Sequence, residues 1–490
     1  MSRLISKARV CAAQGRLSRA IACLALALGG CASVPPDAGQ RALDTLARER
    51  LGSRAEWVRT PERGQAVRAE VDALLAAPLG ADEAVQVALL ANPGLQALYA
   101  DLQVAQADLV QAGRLSNPRF STVRTNSAES FKYETSLTFP VLGLLTLPAA
   151  LRMERARFEA VRLEVADGLL QLASRVRRAH VTAVSAQAAL AHLERAQVAA
   201  DATAELARRM QTTGNLSRLD HLREQAFQAE VSLEVLRARG AVRAAREALA
   251  RLLGVEDPSR LRLPAVPAAL PAAPAALDDL EAFALARRVD VEAAKRRAQA
   301  TAAALGLVRA TRFVNALELG PATLLEGGDN SRKGYALSVE LPLFDWGSSR
   351  VERAEAIYLQ AAQRVAETAL RARSEVREAH AEYLEAWELA RRHRERLVPL
   401  RSAITEETLL RYNGMLVSVF ELMAEARAQI AAARALVEAE RDFRLAEAAL
   451  LEALGGRLPP AAAVAPTAAP AGAAPAPVSP AGGAHPTGAH

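Results

Sequence analysis

Apolar residues recur along most of this chain at helical spacing, and the recurrence is broken twice by similar punctuation. From Pro148 to Thr212 the sequence runs through Ala, Leu, Arg and Glu with no further Pro and a single Gly, Gly168. At about 1.5 Å per residue this predicts a helix roughly 90 Å long. It stops at Thr213-Gly214-Asn215, and a returning helical pattern reaches Leu253-Gly254. Two hundred residues on, a helical pattern from about Gly347 to Tyr412 stops at Asn413-Gly414-Met415 and returns to Leu454-Gly455-Gly456. Apolar residues stand two, five and eight positions after each Gly: Leu216, Leu219 and Leu222, then Leu416, Val419 and Leu422. That spacing lines one face of each returning helix. A Gly adopts left-handed backbone cheaply, so both Gly214 and Gly414 are expected to end a helix and reverse the chain.

In two short stretches the period changes to two. Tyr133 to Pro140 alternates, with Tyr133, Thr135, Leu137 and Phe139 on one side and Glu134, Ser136 and Thr138 on the other. Tyr335 to Pro342 does the same, setting Tyr335, Leu337, Val339 and Leu341 against Ala336, Ser338 and Glu340. A weaker strand near Arg119 to Thr125 and strand texture from about Thr311 supply a partner for each. Asn126 to Ser130 and Gly327-Gly328-Asp329-Asn330 are the expected turns.

Ahead of each strand pair lies another helical pattern. One begins with Asp82 as its expected N-cap, is broken at Ala91-Asn92-Pro93-Gly94-Leu95, and ends at Gly113 and Pro118. The other opens at Asp278-Asp279, with Arg288-Val289-Asp290-Val291 where Asn92 to Leu95 stood. Asn92 and Arg288, Pro140 and Pro342, and Gly214 and Gly414 correspond at offsets of 196, 202 and 200. The chain is therefore read as a duplication, mainly α with a β portion, each unit a strand pair plus a long helical hairpin. The units are 78–260 and 278–456, joined by a Pro/Ala linker at 261–277. Residues 31–77 read as an extended arm with short helical pieces. Residues 457–490 are Ala/Pro/Gly-rich with almost no charge, and are expected to be disordered.

Composition and charge change this picture only at the N-terminus. Half the chain is hydrophobic but only 4% is aromatic, a profile of long helices rather than compact cores. Residues 1–30 carry Arg3, Lys7, Arg9, Arg16 and Arg19 and no acid, followed by the short apolar run Ile21 to Leu28. This is an export signal, too short to span a bilayer. It ends in Leu28-Gly29-Gly30-Cys31, which resembles a lipobox and makes Cys31 the expected lipidated N-terminus. Removal of the signal lowers the formal charge from +6 to about +1, so no nucleic-acid partner is inferred. Cys11 and Cys23 leave with it, so no cysteine remains for a disulfide or a nucleophile.

Candidate chemistry is sparse. The seven histidines are scattered, no His-Glu-x-x-His occurs, and no Gly-rich phosphate loop opens a helix after a strand. Met415 and Met423 near one turn are read as packing rather than as a metal site. The chain is expected to be no enzyme and to need no cofactor.

From about Pro78 to Leu454 the chain resembles the outer-membrane efflux protein (TolC) family. The resemblance is carried by Ala91-Asn92-Pro93-Gly94-Leu95, Ala112-Gly113-Arg114-Leu115-Ser116-Asn117-Pro118, Leu341-Pro342-Leu343-Phe344-Asp345-Trp346-Gly347 and the two Gly tips. It implies a homotrimer with a twelve-stranded outer-membrane β-barrel continued by a periplasmic α-helical barrel. It implies a passive exit duct working with a periplasmic adaptor and an inner-membrane pump, and an outer-membrane location with a lipid anchor. Tyr133, Leu137, Phe139, Tyr335, Leu337, Val339 and Leu341 are then expected to face lipid, and Glu134, Ser136, Thr138, Ser338 and Glu340 the lumen. Thr213, Gly214, Asn215, Asn413, Gly414 and Met415 would be the adaptor-docking tips. Better-known members narrow the periplasmic mouth with acids after one turn. Here Asp220 stands six past Gly214 but Phe420 six past Gly414, with Glu421 beside it, so the gate is expected to be unequal. Within the resemblance, small-molecule efflux of drugs or metal ions is favoured by the lipobox. A duct for type I protein secretion is the alternative, and a periplasmic adaptor or coiled-coil structural lipoprotein fits the duplication poorly.

Overall fold

The helical periodicity of the sequence becomes two long antiparallel helix pairs. The structure is a computed structural model, describing residues 39–126, 131–275, 277, 279–314, 316–326 and 330–458. The expected signal at 1–30, Cys31, the Gly327 to Asp329 part of one turn, most of the Asn126 to Ser130 turn and nearly all of the C-terminal tail lie outside the described residues.

Helices α1 (Gln40–Leu51), α2 (Pro61–Leu75), α3 (Ala81–Ala91) and α4 (Pro93–Ala112) come first. Strands β1 (Arg119–Asn126) and β2 (Phe131–Pro140) follow, then helices α5 (Val141–Thr212) and α6 (Arg218–Leu253). The second unit repeats the order with α7 (Leu280–Arg287), α8 (Val289–Ala310), β3 (Leu317–Glu326), β4 (Asn330–Val339) and α9 (Ser348–Arg392). It closes with α10 (Val398–Asn413) and α11 (Val419–Ala453).

Breaks between helices follow local chemistry. Asn92 ends α3 and caps α4: its Oδ1 accepts from Leu95 N at 2.9 Å, and its Nδ2 donates to the Leu252 carbonyl at 2.8 Å. Pro93 then takes the first helical position, where no N–H is missed. The counterpart break falls at Arg288, extended between α7 and α8. Gly80 rather than Asp82 is the N-cap of α3. Asp82 lies in the first turn, favoured there by the helix dipole, and pairs with Arg177 at 3.1 Å.

Two prolines behave otherwise than expected. Helix α5 starts at Val141, with Pro148 inside it; Pro140, not Pro148, precedes its first turn. The missing Pro148 N–H removes one bond from a 72-residue ladder, which neighbouring turns tolerate. The second hairpin's outgoing helix is not continuous. A π turn at His393–Leu397 separates α9 from α10, just before Pro399. The widened turn makes room for a ring that cannot bond to the Glu395 carbonyl.

Most of the core lies beside the middle of α5. Leu43, Ala47, Val67 and Val71 of α1 and α2 pack there with Leu89, Leu95, Tyr99, Leu169, Leu249 and Leu253. The described part of the N-terminal segment is thus two packed helices rather than an extended arm. A smaller core joins α7, α9 and α11 through Ala284, Val376, Tyr383, Phe443 and Leu450. Among its described residues the Pro/Ala linker has no regular structure beyond 260 but is held to the second hairpin: Trp387 Nε1 donates to Pro271 O (3.0 Å), and Ala275 N to the Tyr383 hydroxyl (3.2 Å).

The four strands form one sheet in the order β1-β2-β3-β4, every neighbour antiparallel. The middle pair, β2 and β3, joins the two units. Among the described residues the outer edges of β1 and β4 have no strand partner.

Candidate functional site

Cross-strand register puts opposed residues on the same face, so the sheet's two faces can be followed through all four strands. Leu137 faces Phe120, Phe139 faces Leu319, and Leu319 faces Leu337. With Tyr133, Leu325, Tyr335 and Val339 they make one face largely apolar and aromatic towards the helices, while Arg124, Asn126, Ser331 and Lys333 make the same face polar towards the turns. Arg119 faces Thr138, Pro140 faces Glu318, and Glu318 faces Ser338. With Glu134, Ser136, Ala322, Glu326, Arg332 and Ala336 they make the other face charged, polar or small. Leu324 and Val123 are its apolar exceptions. The polar face carries ion pairs, Arg119–Glu318 at 3.2 Å and Lys132–Glu326 at 2.8 Å, and Thr138 Oγ1 donates to Glu318 Oε2 at 3.1 Å. Gly320 lies so close to β2 that a Cβ would stand 1.8 Å from the Leu137 carbonyl oxygen. The alternation expected of β2 and β4 is thus present, and β3 shares it; β1 follows it only at Phe120, with Arg124 on the apolar face and Val123 on the polar one.

At the far end of the hairpins the two tips are alike in construction but displaced by one residue from the expected pairing. Gly214 is left-handed (φ 79°), but Gly414 is not. In the second tip the left-handed residue is Met415 (φ 57°). Asn215 N bonds to Met210 O at 2.8 Å, and Leu416 N to Arg411 O at 2.9 Å, the same wide closing bond one position later. Ser217 and Ser418 are the following N-caps, accepting from Asp220 N (3.1 Å) and Glu421 N (3.3 Å). The structural counterpart of Asp220 is therefore Glu421, and that of Phe420 is Leu219. Both returning helices carry an acid at the third position. The matching Gly letters concealed this; the Ser-x-x-acid spacing of a capping box was the signal that reveals it.

All six expected tip residues, Thr213, Gly214, Asn215, Asn413, Gly414 and Met415, are exposed. A Cβ on Gly214 would meet nothing within 4 Å. Met415 is 94% exposed, whereas Met423 is buried, so the two do not form a pair. Asp220 is held by Ser217 Oγ (2.6 Å) and by Arg223 Nη1 (3.1 Å), while Glu421 is exposed.

Two charged clusters had no signature in sequence because they join distant segments. Four residues beyond Asp220, Glu224 is buried against Arg427, linking α6 to α11 between the hairpins. Farther up, Asp167 of α5 faces the start of α8. Burial, and then the nearby Asp290 carboxylate, push Asp167 up to about 6, with Arg288 and Gln171 opposing. Arg288 is engaged by Asp290 (2.7 Å) and by Glu375 of α9 (2.5 Å). Among the described residues no group of three or more His, Cys, Asp or Glu is placed to hold a metal ion.

No family model and no curated protein matches this sequence. Solved structures do match. The outer-membrane channel OprN is 22% identical with a TM-score of 0.66, over 77% of this chain and 90% of that one. The outer-membrane protein VceC of Vibrio cholerae is 20% identical with a TM-score of 0.65, over 77% and 96%. The CmeC outer-membrane channel of Campylobacter jejuni is 17% identical with a TM-score of 0.65, over 77% and 86%. At these TM-scores, over three quarters of its length, this chain has the fold of the TolC family of outer-membrane efflux channels.

Proposed function

We propose that this chain is the outer-membrane exit duct of a tripartite efflux pump, passively conducting small molecules delivered by an inner-membrane transporter through a periplasmic adaptor. One observation carries the reading: a four-stranded sheet, largely apolar on one face towards the helices and polar on the other, whose two edges pair with no other strand among the described residues. Among the described residues no helix is long and apolar enough to cross a membrane. Three of the strands are ten residues long, the length of a tilted transmembrane strand of about 9–11 residues. Four strands cannot close on themselves, and an open edge in lipid leaves backbone groups unsatisfied. Joining β4 of one copy to β1 of the next resolves both problems, and three copies give twelve strands around a polar lumen.

The lipid anchor fits the same geometry. Gly39 lies against Phe158 and Arg162 of α5, about 25–30 Å along the helix from its start at the sheet. Cys31 is eight residues earlier, and eight residues span at most about 29 Å, a spacing long enough for an acylated Cys31 at the sheet's helical end. The two tips dock the adaptor. Behind them Asp220 and Glu421, rather than Asp220 and Phe420, supply the acids of the mouth, six carboxylates in a trimer.

Closure is tested by cysteine pairs with one member on β1 and one on β4. Within a chain these strands are three spacings apart, about 14 Å, too far for a disulfide. Links can therefore form only between copies. The reading expects oxidation to give linked dimers and trimers and nothing larger; an absence of links, or a ladder continuing past three, would refute it.

A further inference from the structure

Charge on the strands is divided unequally between the two faces of the sheet. On the polar face the cations Arg119, Lys132 and Arg332 stand with the carboxylates Glu134, Glu318 and Glu326. Two of these cations are paired there, Arg119 with Glu318 and Lys132 with Glu326. The opposite face carries Arg124 and Lys333 and, among the described residues, no carboxylate. The acids of the described strands all face the lumen side, so two positive charges are left on the side assigned to lipid without an acid beside them.

Both cations lie at the turn end of the sheet and are exposed. Arg124 is fixed against the face: its guanidinium carbon stands 5.3 Å from the centre of the Tyr133 ring, and its Nε donates to Asn126 Oδ1 at 3.1 Å. A cation on a lipid-facing strand is costly at the bilayer midplane and tolerated near the headgroups. Arg124 and Lys333 therefore mark the headgroup layer away from the helices. They belong to the two edge strands, β1 and β4, which within one copy are three spacings apart, about 14 Å. Closing β4 of one copy against β1 of the next makes Lys333 of one copy and Arg124 of the next neighbours across the seam.

We propose that each seam binds, in the outer leaflet, a glycolipid that carries phosphate on its sugars. The site rests on the reading of the sheet as membrane-spanning and closed between copies. Arg124 offers phosphate a planar fork of N–H donors, and Lys333 adds a point charge. Thr122, Asn126 and Ser331, on the same face at the same end, supply hydroxyl and amide groups for sugar hydroxyls. A phospholipid headgroup has the phosphate but fewer hydroxyls, so these neighbours favour the sugar lipid. With the helices in the periplasm, the turn end belongs to the outer leaflet.

The test is lipid retention read by native mass spectrometry. Trimers are released from phosphatidylcholine nanodiscs that contain either diphosphoryl lipid A or phosphatidylglycerol at equal phosphate. The parent is compared with Arg124→Gln/Lys333→Gln, with each single substitution, and with Arg332→Gln. The last removes a charge one residue from Lys333 but on the lumen face. The parent should keep lipid A severalfold better than phosphatidylglycerol, up to one molecule per seam. The double variant should keep severalfold less, each single variant an intermediate amount, and Arg332→Gln as much as the parent. Undiminished retention in the double variant overturns the site, as does an equal loss in Arg332→Gln. Phosphatidylglycerol held as well as lipid A means a general anionic surface and overturns it too. If the double variant does not assemble, the single variants and the parent's lipid preference decide. Conductance recorded in parallel separates the two readings: a parent that conducts without holding lipid A loses the site and keeps the duct, and one that forms neither trimer nor pore loses both.

Discussion

Neutralising Asp167 should stabilise the protein, and only above a definite pH. Its carboxyl is pushed up to about 6 by burial and by Asp290, against about 3.9 for a free aspartate. Between those values the folded state holds a proton that the unfolded state has released. Stability from this group is therefore present below about pH 4 and lost as pH rises through 6. About two units at 1.36 kcal/mol each set a ceiling of about 3 kcal/mol, and solvent screening of a half-buried group brings the expectation to about 1–2 kcal/mol. Asp167→Asn keeps the size of the side chain and removes the charge. Melting of variant and parent in the same detergent, followed by circular dichroism from pH 4 to 8, should show a higher Tm for the variant at pH 7.5. The difference should shrink to nothing near pH 4. A variant less stable at pH 7.5, or a gain that does not change with pH, would refute the argument. Asp290→Asn provides the contrast, because it removes a partner of Arg288 and should destabilise.

Three further substitutions probe other parts of the account. Arg427→Ala leaves Glu224 charged and buried and should cost about 3 kcal/mol, with Glu224→Gln on the same background recovering much of the Tm; a neutral Arg427→Ala would show that the pair does not hold the hairpins together. Met415→Gly removes a left-handed non-glycine residue and should raise stability by about 1 kcal/mol; an unchanged or lower Tm would contradict the strain argument. Gly320→Ala puts a Cβ against the Leu137 carbonyl and should separate β3 from β2, seen as lost trimer on gels, whereas intact trimer would count against the tight β2–β3 approach.

Much of this fold was legible because long helices and alternating strands write their period directly into sequence. The two hairpins, the break at Asn92 and the strands around Tyr133 and Tyr335 follow from spacing alone. Errors arose where a residue letter stood in for a conformation. Gly414 invited alignment with Gly214, yet Met415 takes the left-handed position, and the supposed imbalance between Asp220 and Phe420 came from that slip of one residue. Pro148 looked like a start and lies inside a helix, while Pro399, hidden in a helical pattern, announces a π turn. The clusters around Asp167 and Glu224 could not be read at all, since each is assembled from segments more than a hundred residues apart.

The central claim is that copies of this chain enclose a continuous aqueous path, and single-channel recording tests it most directly. Purified, signal-processed protein added to a planar lipid bilayer should produce discrete conductance steps. Those steps should grow or open more often when Asp220 and Glu421 are both replaced by Ala. Trimers that insert and never conduct, in the parent and in the doubly substituted chain alike, would contradict the account.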